Sequence, residues 1–250
     1  MIGLEVSIAA KRFPAAGGAP PRLVYEDFRL SVAPGAFVSI LGPSGCGKTT
    51  LLNLIAGLDR GYEGQISLGG RPEPRIGYAF QTPRLLPWRT VLENVQLPLA
   101  PGRQARERAR ALLAEMGLDA ARDAYPARLS LGMQRRAALA RAFAVEPDLL
   151  LLDEPFVSLD EATAERLRDL LGALLARHPA TVLFVTHDSR EAVRLADRIV
   201  ALAGAPARIL RDLDVRLTAD ERRSQKAVDA FRARLVSTNL DPGPVEARPE

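Results

Sequence analysis

One loop near residue 45 constrains what this chain can fold into more than any other feature. It consists of Gly42, Pro43, Ser44, Gly45, Cys46, Gly47, Lys48, Thr49 and Thr50. The loop fits the pattern G-x-x-x-x-G-K-[ST], which is typical of loops that bind phosphate. Residues 36–41 before it are predicted to form a buried strand, and residues 50–56 after it a helix that ends at Gly57. Strand, glycine loop and helix together predict a nucleotide site.

Each part of this loop has a physical role in such a site. The glycines allow backbone N–H groups to turn inward around a phosphate, and the new helix directs its positive dipole end at the same anion. We expect Lys48 to reach the β- and γ-phosphates and the Thr49 hydroxyl to hold Mg²⁺. A glycine-rich turn that binds nothing is disfavoured, because the lysine, the hydroxyl and both flanking elements occur together.

Composition limits the class of protein. The chain has 250 residues, of which 47% are hydrophobic and 26% charged, as in ordinary folded soluble proteins. No apolar run approaches the roughly 20 residues of a membrane-spanning helix, and residues 1–20 lack the order of a secretory signal. A cytosolic protein whose membrane role comes through a partner is therefore expected.

Cysteine, histidine and charge exclude further classes. A single cysteine rules out an internal disulfide framework, and two histidines leave little for a metal cluster. The net charge is +4, but the 34 basic and 30 acidic residues are interspersed. We therefore predict no nucleic-acid partner, although a basic surface for nucleic acid or anionic membrane is an alternative.

The order of predicted elements gives an α/β fold class. The predicted strands of the first third cover residues 4–9, 24–32, 65–68 and 76–80. A helical insert is predicted over 83–145, and after it strands at 149–153, 181–186 and 199–202 alternate with helices at 161–177 and 190–196. This alternation predicts a mainly parallel sheet. A capping box at Thr218 and Glu221 predicts a last helix to about Leu235, and residues 237–250 read as a disordered tail.

Two carboxylates follow the most apolar predicted strand. Four leucines at 149–152 lead directly into Asp153 and Glu154. Because ligands bind at the carboxyl ends of parallel strands, we expect Asp153 to hold Mg²⁺ and Glu154 to accept a proton from attacking water. An acidic turn without function is the alternative, which the phosphate loop upstream makes less attractive.

The chain resembles the ABC-type ATPases, a family with the P-loop NTPase (RecA-like) fold. Residues 129–136, with the sequence LSLGMQRR, resemble the family's signature motif. The other matching positions are Phe13 for the adenine contact, Gln81 for the Q-loop, Ser158-Leu159-Asp160 for the D-loop and His187 for the switch histidine. The resemblance covers about residues 4–205 and implies one ATPase domain, 1–236, with an N-terminal antiparallel β subdomain and an inserted helical subdomain.

The resemblance implies a mechanism that needs two chains. In the family, Ser130 and Gly132 of one chain face the γ-phosphate bound by the other, so that a homodimer encloses two ATP molecules with Mg²⁺. Asp160 is then expected to contact the opposite phosphate loop, His187 to bond the γ-phosphate, and Gln81 to sense Mg²⁺ and water. The signature departs from the family pattern at Leu131 and Met133, where a glycine and a glutamine are usual.

Several of these assignments have plain structural alternatives. The alternatives are a solvent-exposed surface residue for Gln81, a structural histidine for His187 and a helix N-cap for Asp160, and the order of the motifs favours the functional reading of His187. Tyr25 competes with Phe13 as the adenine contact, and either residue also suits core packing. Cys46 is read as a small residue that fits the loop, and we expect its alkylation to block nucleotide binding.

Residues 84–95 resemble importer ATPases of the nitrate/sulfonate/taurine class. In that class this region binds the membrane permease, and the apolar residues that would supply the contact are Leu85, Leu86, Pro87 and Trp88. The resemblance also implies an extracellular or periplasmic solute-binding protein and a location at the cytoplasmic face of the membrane. The alternatives are an ABC ATPase of DNA repair or translation, and a regulatory subunit that hydrolyses ATP weakly.

Overall fold

The computed structural model of the protein describes residues 1–15, 20–70 and 72–236. The strands, in chain order, are β1 (Leu4–Phe13), β2 (Arg22–Val32), β3 (Phe37–Leu41), β4 (Glu63–Leu68), β5 (Ile76–Ala79), β6 (Leu149–Asp153), β7 (Thr181–Thr186), β8 (Arg198–Ala203) and β9 (Arg208–Asp214). The helices are α1 (Lys48–Ile55), α2 (Val91–Gln96), α3 (Arg103–Glu115), α4 (Leu131–Ala144), α5 (Glu161–Arg177), α6 (Ser189–Leu195), α7 (Ala219–Arg223) and α8 (Gln225–Val236).

The strands form two sheets. A three-stranded antiparallel sheet has the order β2-β1-β4, and a six-stranded sheet has the order β5-β6-β7-β3-β8-β9. All neighbours in the larger sheet are parallel except β8 and β9. The predicted fold class, with a mainly parallel sheet, an N-terminal antiparallel sheet and inserted helices, is confirmed.

Strand β6 lies in the middle of the core and is buried on both faces. Leu149 and Leu151 pack in one apolar cluster with β3, α1 and the antiparallel sheet. Leu150 and Leu152 pack in the other, with α2, α3, α4 and α5. Alternate side chains of a strand point to opposite faces, so a strand covered on both sides reads as a continuous apolar run. This burial fixes where the strand ends, at Asp153.

Most predicted elements agree with the structure, and two do not. Strand β9 was not predicted, because its seven residues include four charged ones and it lies at the edge of the sheet. The single last helix is wrong: Ser224 adopts an extended conformation, ends α7 and accepts a hydrogen bond from Ala227 N–H at the start of α8. The capping box of Thr218 and Glu221 is confirmed.

The predicted disordered tail, 237–250, lies outside the described residues. Among the residues that are described, no helix has both the length and the apolar character that crossing a bilayer requires.

Candidate functional site

The phosphate loop joins β3 to α1 and places a lysine over its own backbone. Gly47 is the N-cap of α1 and has no side chain to cap the free N–H groups of the first turn. The Lys48 ammonium donates to the carbonyl oxygens of Gly42 at 2.7 Å and Pro43 at 2.9 Å. Free N–H groups at a helix start, beside a buried ammonium, make a site for an anion.

Two glycines of the loop adopt backbone conformations that other residues disfavour. Gly45 has φ +80° and Gly47 has φ +110°. A Cβ at Gly47 would also lie 2.7 Å from Val24 Cγ1. The loop therefore packs closely on β2, and any side chain at Gly47 would displace it.

Tyr25 supports the loop from beneath. Its side chain has no exposed surface, and its hydroxyl donates to the Gly47 carbonyl oxygen at 3.0 Å. Burial raises the pKa of this phenol. Tyr25 is therefore unavailable to stack on a base, whereas Phe13 is 40% exposed and lines the same cleft as the loop. The competition that the sequence left open is resolved against Tyr25.

A hydroxyl and a buried carboxylate meet behind the loop. Thr49 Oγ1 donates to Asp153 Oδ1 at 3.1 Å, which joins the first turn of α1 to the end of β6. Burial raises the pKa of Asp153, against the opposing effect of the Thr49 hydrogen bond. Oxygen donors of this kind suit a hard divalent cation.

Glu154 is held at several points, and only a small part of its side chain is exposed. Its backbone has φ +45°, and its N–H donates to the Val185 carbonyl oxygen at 2.9 Å. One carboxylate oxygen lies 3.7 Å from Lys48 Nζ and the other 3.0 Å from His187 Nδ1. The carboxylate thus sits between the phosphate loop and the histidine, where a general base for a water molecule is useful.

One cleft brings most of these groups together. Its lining combines loop residues with residues from β1, β2 and the segment after β5. The lining residues are Phe13, Arg22, Val24, Ser44, Gly45, Gly47, Lys48, Thr49, Thr50, Gln81 and Glu154. Gln81 and Phe13, far apart in sequence, therefore lie at the same cleft as the phosphate loop.

Three predicted loop residues do not line the cleft. Gly42 and Pro43 act through their carbonyl oxygens, which hold Lys48. Cys46 is buried, and its thiol packs among apolar side chains of β2, β3 and α1. An alkylating reagent therefore reaches this thiol only when the loop opens, and blocked nucleotide binding stays a prediction.

Ser130, Gly132 and Asp160 are not brought to this cleft within one chain. Ser130 caps α4 by accepting from Met133 N–H at 3.3 Å, and Asp160 caps α5 by accepting from Thr163 N–H at 3.0 Å. A Cβ at Gly132 would lie 2.7 Å from Thr163 Cγ2, so the starts of α4 and α5 touch. The two predicted partner-facing motifs therefore form one continuous surface.

The four predicted docking residues divide into two pairs. Leu85 and Leu86 are half-buried, and Leu85 packs against the core cluster of the helical insert. Pro87 is exposed, and Trp88 is 70% exposed. Only the second pair is free to contact another molecule through most of its surface.

Four residues that were not predicted as site residues shape this region. Arg22 lines the cleft and donates to the Gly45 carbonyl oxygen. Arg135 donates to the carbonyl oxygens of Glu154 at 3.3 Å and Val157 at 2.8 Å. Asn94 and Arg141 hold the backbone between Pro83 and Thr90. One signal was available for this last region: Thr90 and Glu93 have capping-box spacing, and they start α2 in that way.

Comparison with known proteins gives a consistent set of relatives. The family model described as ABC transporter matches residues 25–157. The aliphatic sulfonates import ATP-binding protein of Burkholderia lata is 45% identical over 220 residues, covering 86% of this chain and 80% of that protein. The protein of the same description from Bacillus subtilis is 37% identical over 241 residues, covering 94% of each.

Solved structures give the same result. An ATP-binding cassette, described as a dimer in a post-hydrolysis state bound to ADP and Pi, superposes with a TM-score of 0.74. It is 31% identical in sequence and covers 86% of this chain and 100% of its own. A second dimeric structure of the same cassette, described as a bacterial ABC transporter cassette, has the same TM-score and identity.

Proposed function

Because this chain belongs to the ABC transporter family of ATP-binding proteins, we propose that it is the ATPase subunit of an importer for aliphatic sulfonates. Like other members, it binds ATP, hydrolyses it, and works as a homodimer with membrane permease subunits. The sulfonate class rests on the relatives named for sulfonate import. A role in DNA repair or translation has no relative among them to support it.

The observation that carries the hydrolytic role is the placement of Glu154. Its carboxylate lies between Lys48 and His187, at the edge of the phosphate loop. In the proposed mechanism Glu154 accepts the proton of the attacking water, His187 and Gln81 hold that water and the γ-phosphate, and Lys48 binds the β- and γ-phosphates. Phe13 stacks on the adenine, and the loop N–H groups cradle the phosphates.

The residues at the end of β6 also fit a magnesium ion. Thr49 Oγ1 and Asp153 Oδ1 are already 3.1 Å apart, and Gln81 lines the same cleft. No group of three or more potential metal-ligating His, Cys, Asp or Glu side chains occurs in the described residues. Mg²⁺ bound there offsets the negative charge of the phosphate oxygens.

The signature surface is assigned to the second chain. Ser130, Gly132 and Asp160 lie outside the cleft of their own chain, where a partner's γ-phosphate and phosphate loop would meet them. The dimeric state of the related cassettes supports this arrangement. ATP then closes the dimer because it binds both surfaces at once.

The exposed part of the segment after Gln81 is assigned to the permease. Pro87 and Trp88 offer apolar surface, while Leu85 packs against the core cluster of the helical insert and Leu86 is half-buried. Large apolar side chains of this kind act as anchors at protein interfaces. The protein would then be held at the cytoplasmic face of the membrane, with a solute-binding protein acting through the permease.

The hydrolytic assignment is tested by changing one carboxylate. We expect Glu154→Gln to lower ATP turnover by roughly 100-fold or more while the ATP-bound dimer forms and persists. Glu107→Gln is the control, since Glu107 is exposed on α3 and forms an ion pair with Arg103 on the same helix. Turnover is measured by phosphate release and dimerisation by light scattering; a fully active Glu154→Gln variant would remove Glu154 from the mechanism.

The solute class is tested by growth on a single sulfur source. A host strain lacking this chain should fail to grow on an alkanesulfonate and should grow normally on sulfate. Restoring the chain should restore growth, and the Glu154→Gln variant should not. Normal growth of the deletion strain on alkanesulfonates, with loss of growth on another solute, would reassign the substrate and leave the ATPase assignment intact.

A further inference from the structure

The segment between Gln81 and α2 has no regular structure and yet is closely held. It runs through Pro83, Arg84 and the residues of the proposed permease contact to Thr90, the N-cap of α2. Two side chains of the helical insert, Asn94 and Arg141, bond its backbone at five different residues. Neither side chain touches the nucleotide cleft.

Asn94 lies in α2 with no exposed surface and uses both ends of its amide. Its Oδ1 accepts from Leu86 N–H at 2.7 Å. Its Nδ2 lies within hydrogen-bond distance of the carbonyl oxygens of Leu86 at 3.1 Å, Arg89 at 3.1 Å and Thr90 at 2.9 Å. Replacing this buried amide by an apolar residue would remove the partner of Leu86 N–H and of the Arg89 carbonyl oxygen, whereas the Leu86 and Thr90 carbonyl oxygens keep backbone N–H donors. The loop around Trp88 therefore depends on Asn94 at two backbone groups.

Arg141, in α4, holds the other end of the segment. Its guanidinium donates to the carbonyl oxygens of Pro83 and Arg84, each at 2.8 Å. Arg84 has φ +47°, an unfavourable conformation for a residue with a side chain. The bond from Arg141 therefore holds Arg84 in a backbone conformation that it would not keep by itself.

Both anchors belong to helices that pack together. Val91 and Val95 of α2 share one apolar cluster with Leu139 and Phe143 of α4. Toward the core, the segment has a different kind of contact: the Arg84 guanidinium lies 4.2 Å from the centre of the Phe80 ring. Gln81 and Thr82, between Phe80 and the first anchored carbonyl, are exposed.

We propose that Asn94 and Arg141 are positioning residues that make the Pro83–Thr90 segment a rigid part of the helical insert. The surface around Trp88 is then presented to the permease already formed. The inference rests on the proposed function for the identity of the partner only. The tethering itself is a property of the isolated chain.

Trp88 is the only tryptophan, so its fluorescence reports on this segment alone. In Asn94→Ala and Arg141→Ala we expect lower Trp88 anisotropy and stronger quenching by acrylamide than in the unmodified chain. Arg141→Lys should give an intermediate shift, because one ammonium group replaces a fork that reaches two carbonyl oxygens. ATP turnover of the isolated chain should stay close to normal in all three variants.

A matched control comes from the same helix. Arg136 of α4 donates to the carbonyl oxygens of Met116 at 2.9 Å and Gly117 at 3.5 Å, at the end of α3 rather than in the tethered segment. Arg136→Ala should leave Trp88 fluorescence unchanged. Anisotropy and quenching that are equal in Asn94→Ala, Arg141→Ala and Arg136→Ala would overturn the tethering role, and Arg141→Lys keeps the test valid if Asn94→Ala does not fold.

A second measurement separates this inference from the proposed function. The complex with the permease is purified from the host through a tag on this chain, with or without Trp88→Ala. Less permease with Trp88→Ala supports the docking surface, and then Asn94→Ala and Arg141→Ala should lower the yield as well. An unchanged yield with Trp88→Ala removes Trp88 as the docking anchor, while the fluorescence result still decides the tethering.

Discussion

Around the phosphate loop, polar side chains contact one another or the loop backbone, whereas at the start of α4 the Ser130 hydroxyl accepts from a backbone N–H of its own helix. Lys48 bonds two loop carbonyls, Thr49 bonds Asp153, and Glu154 contacts His187. Ser130, by contrast, caps its own α4 and lies outside the cleft.

This difference teaches which part of the site one chain completes. The phosphate loop has its ammonium, the Thr49 hydroxyl and the carboxylates of Asp153 and Glu154 in mutual contact, so we expect a single chain to bind nucleotide through this half of the site. The other half, the signature motif, presents a capped helix start, and in the proposed dimer it meets an anion bound by the partner chain. The comparison predicts that substitutions in the first half change nucleotide binding and those in the second half change dimerisation.

The largest effect should come from removing the ammonium of the phosphate half. Lys48→Ala is expected to weaken ATP binding by about 10- to 100-fold, because hydrogen bonds from a charged group contribute about 1.5–3 kcal/mol. Calorimetric titration of the single chain with ATP measures this loss. Lys226→Ala, at an exposed lysine of α8, is the control and should bind normally. Equal ATP affinity in Lys48→Ala and Lys226→Ala would show that the phosphate loop does not determine nucleotide binding in the way that we expect.

A smaller effect is expected where the starts of α4 and α5 touch. In Gly132→Ala the new methyl group would lie 2.7 Å from Thr163 Cγ2, and overpacking of this kind costs about 1–3 kcal/mol. We expect lower thermal stability and a weaker ATP-dependent dimer, with ATP binding to the single chain nearly unchanged. Thermal unfolding and light scattering with ATP, in the Glu154→Gln background, measure the two effects.

Thr163→Ser removes the methyl group that the new Cβ would meet. The double variant should therefore recover stability and dimerisation together. Recovery of stability without recovery of the dimer would show that a methyl group at position 132 obstructs the partner's nucleotide directly, as expected for a glycine in close approach to an anion. Either result shows whether Gly132 is needed for packing against α5 alone or also for contact with the partner's nucleotide.

Features of the fold and the site could be predicted from the sequence where they depend on residues close together in the chain, and not where they depend on contacts between distant residues. The leucines before Asp153 and the glycine loop are local patterns. The leucines predicted the end of the strand, and the loop pattern predicted the phosphate loop and the helix that follows it. Tyr25 and Phe13 were indistinguishable as adenine contacts, because only the packing of β2 under the loop buries Tyr25. The role of Asn94 could not be predicted, because only the fold places the preceding loop against its side-chain amide.

The smallest effect should come from Leu131, one of the two residues at which the signature departs from its family. Leu131 is the first residue of α4, and 38% of it is exposed. Leu131→Gly restores the usual glycine but should lower stability by about 0.5–1 kcal/mol, since glycine is a poor helix residue. Leu131→Ala is the matched control, because it removes the same side chain without that backbone cost.

These two variants show whether the side chain or the backbone matters at the interface. If the Leu131 side chain restricts the approach of the partner, both variants should strengthen the ATP-dependent dimer by a similar factor. We expect this result, with a change of only a few-fold, because an exposed side chain at a helix start has room to move aside. A stronger dimer in Leu131→Gly alone would instead show that the partner approaches the backbone itself. Dimerisation would then depend on a glycine at position 131, and not only on the Ser130 cap of α4.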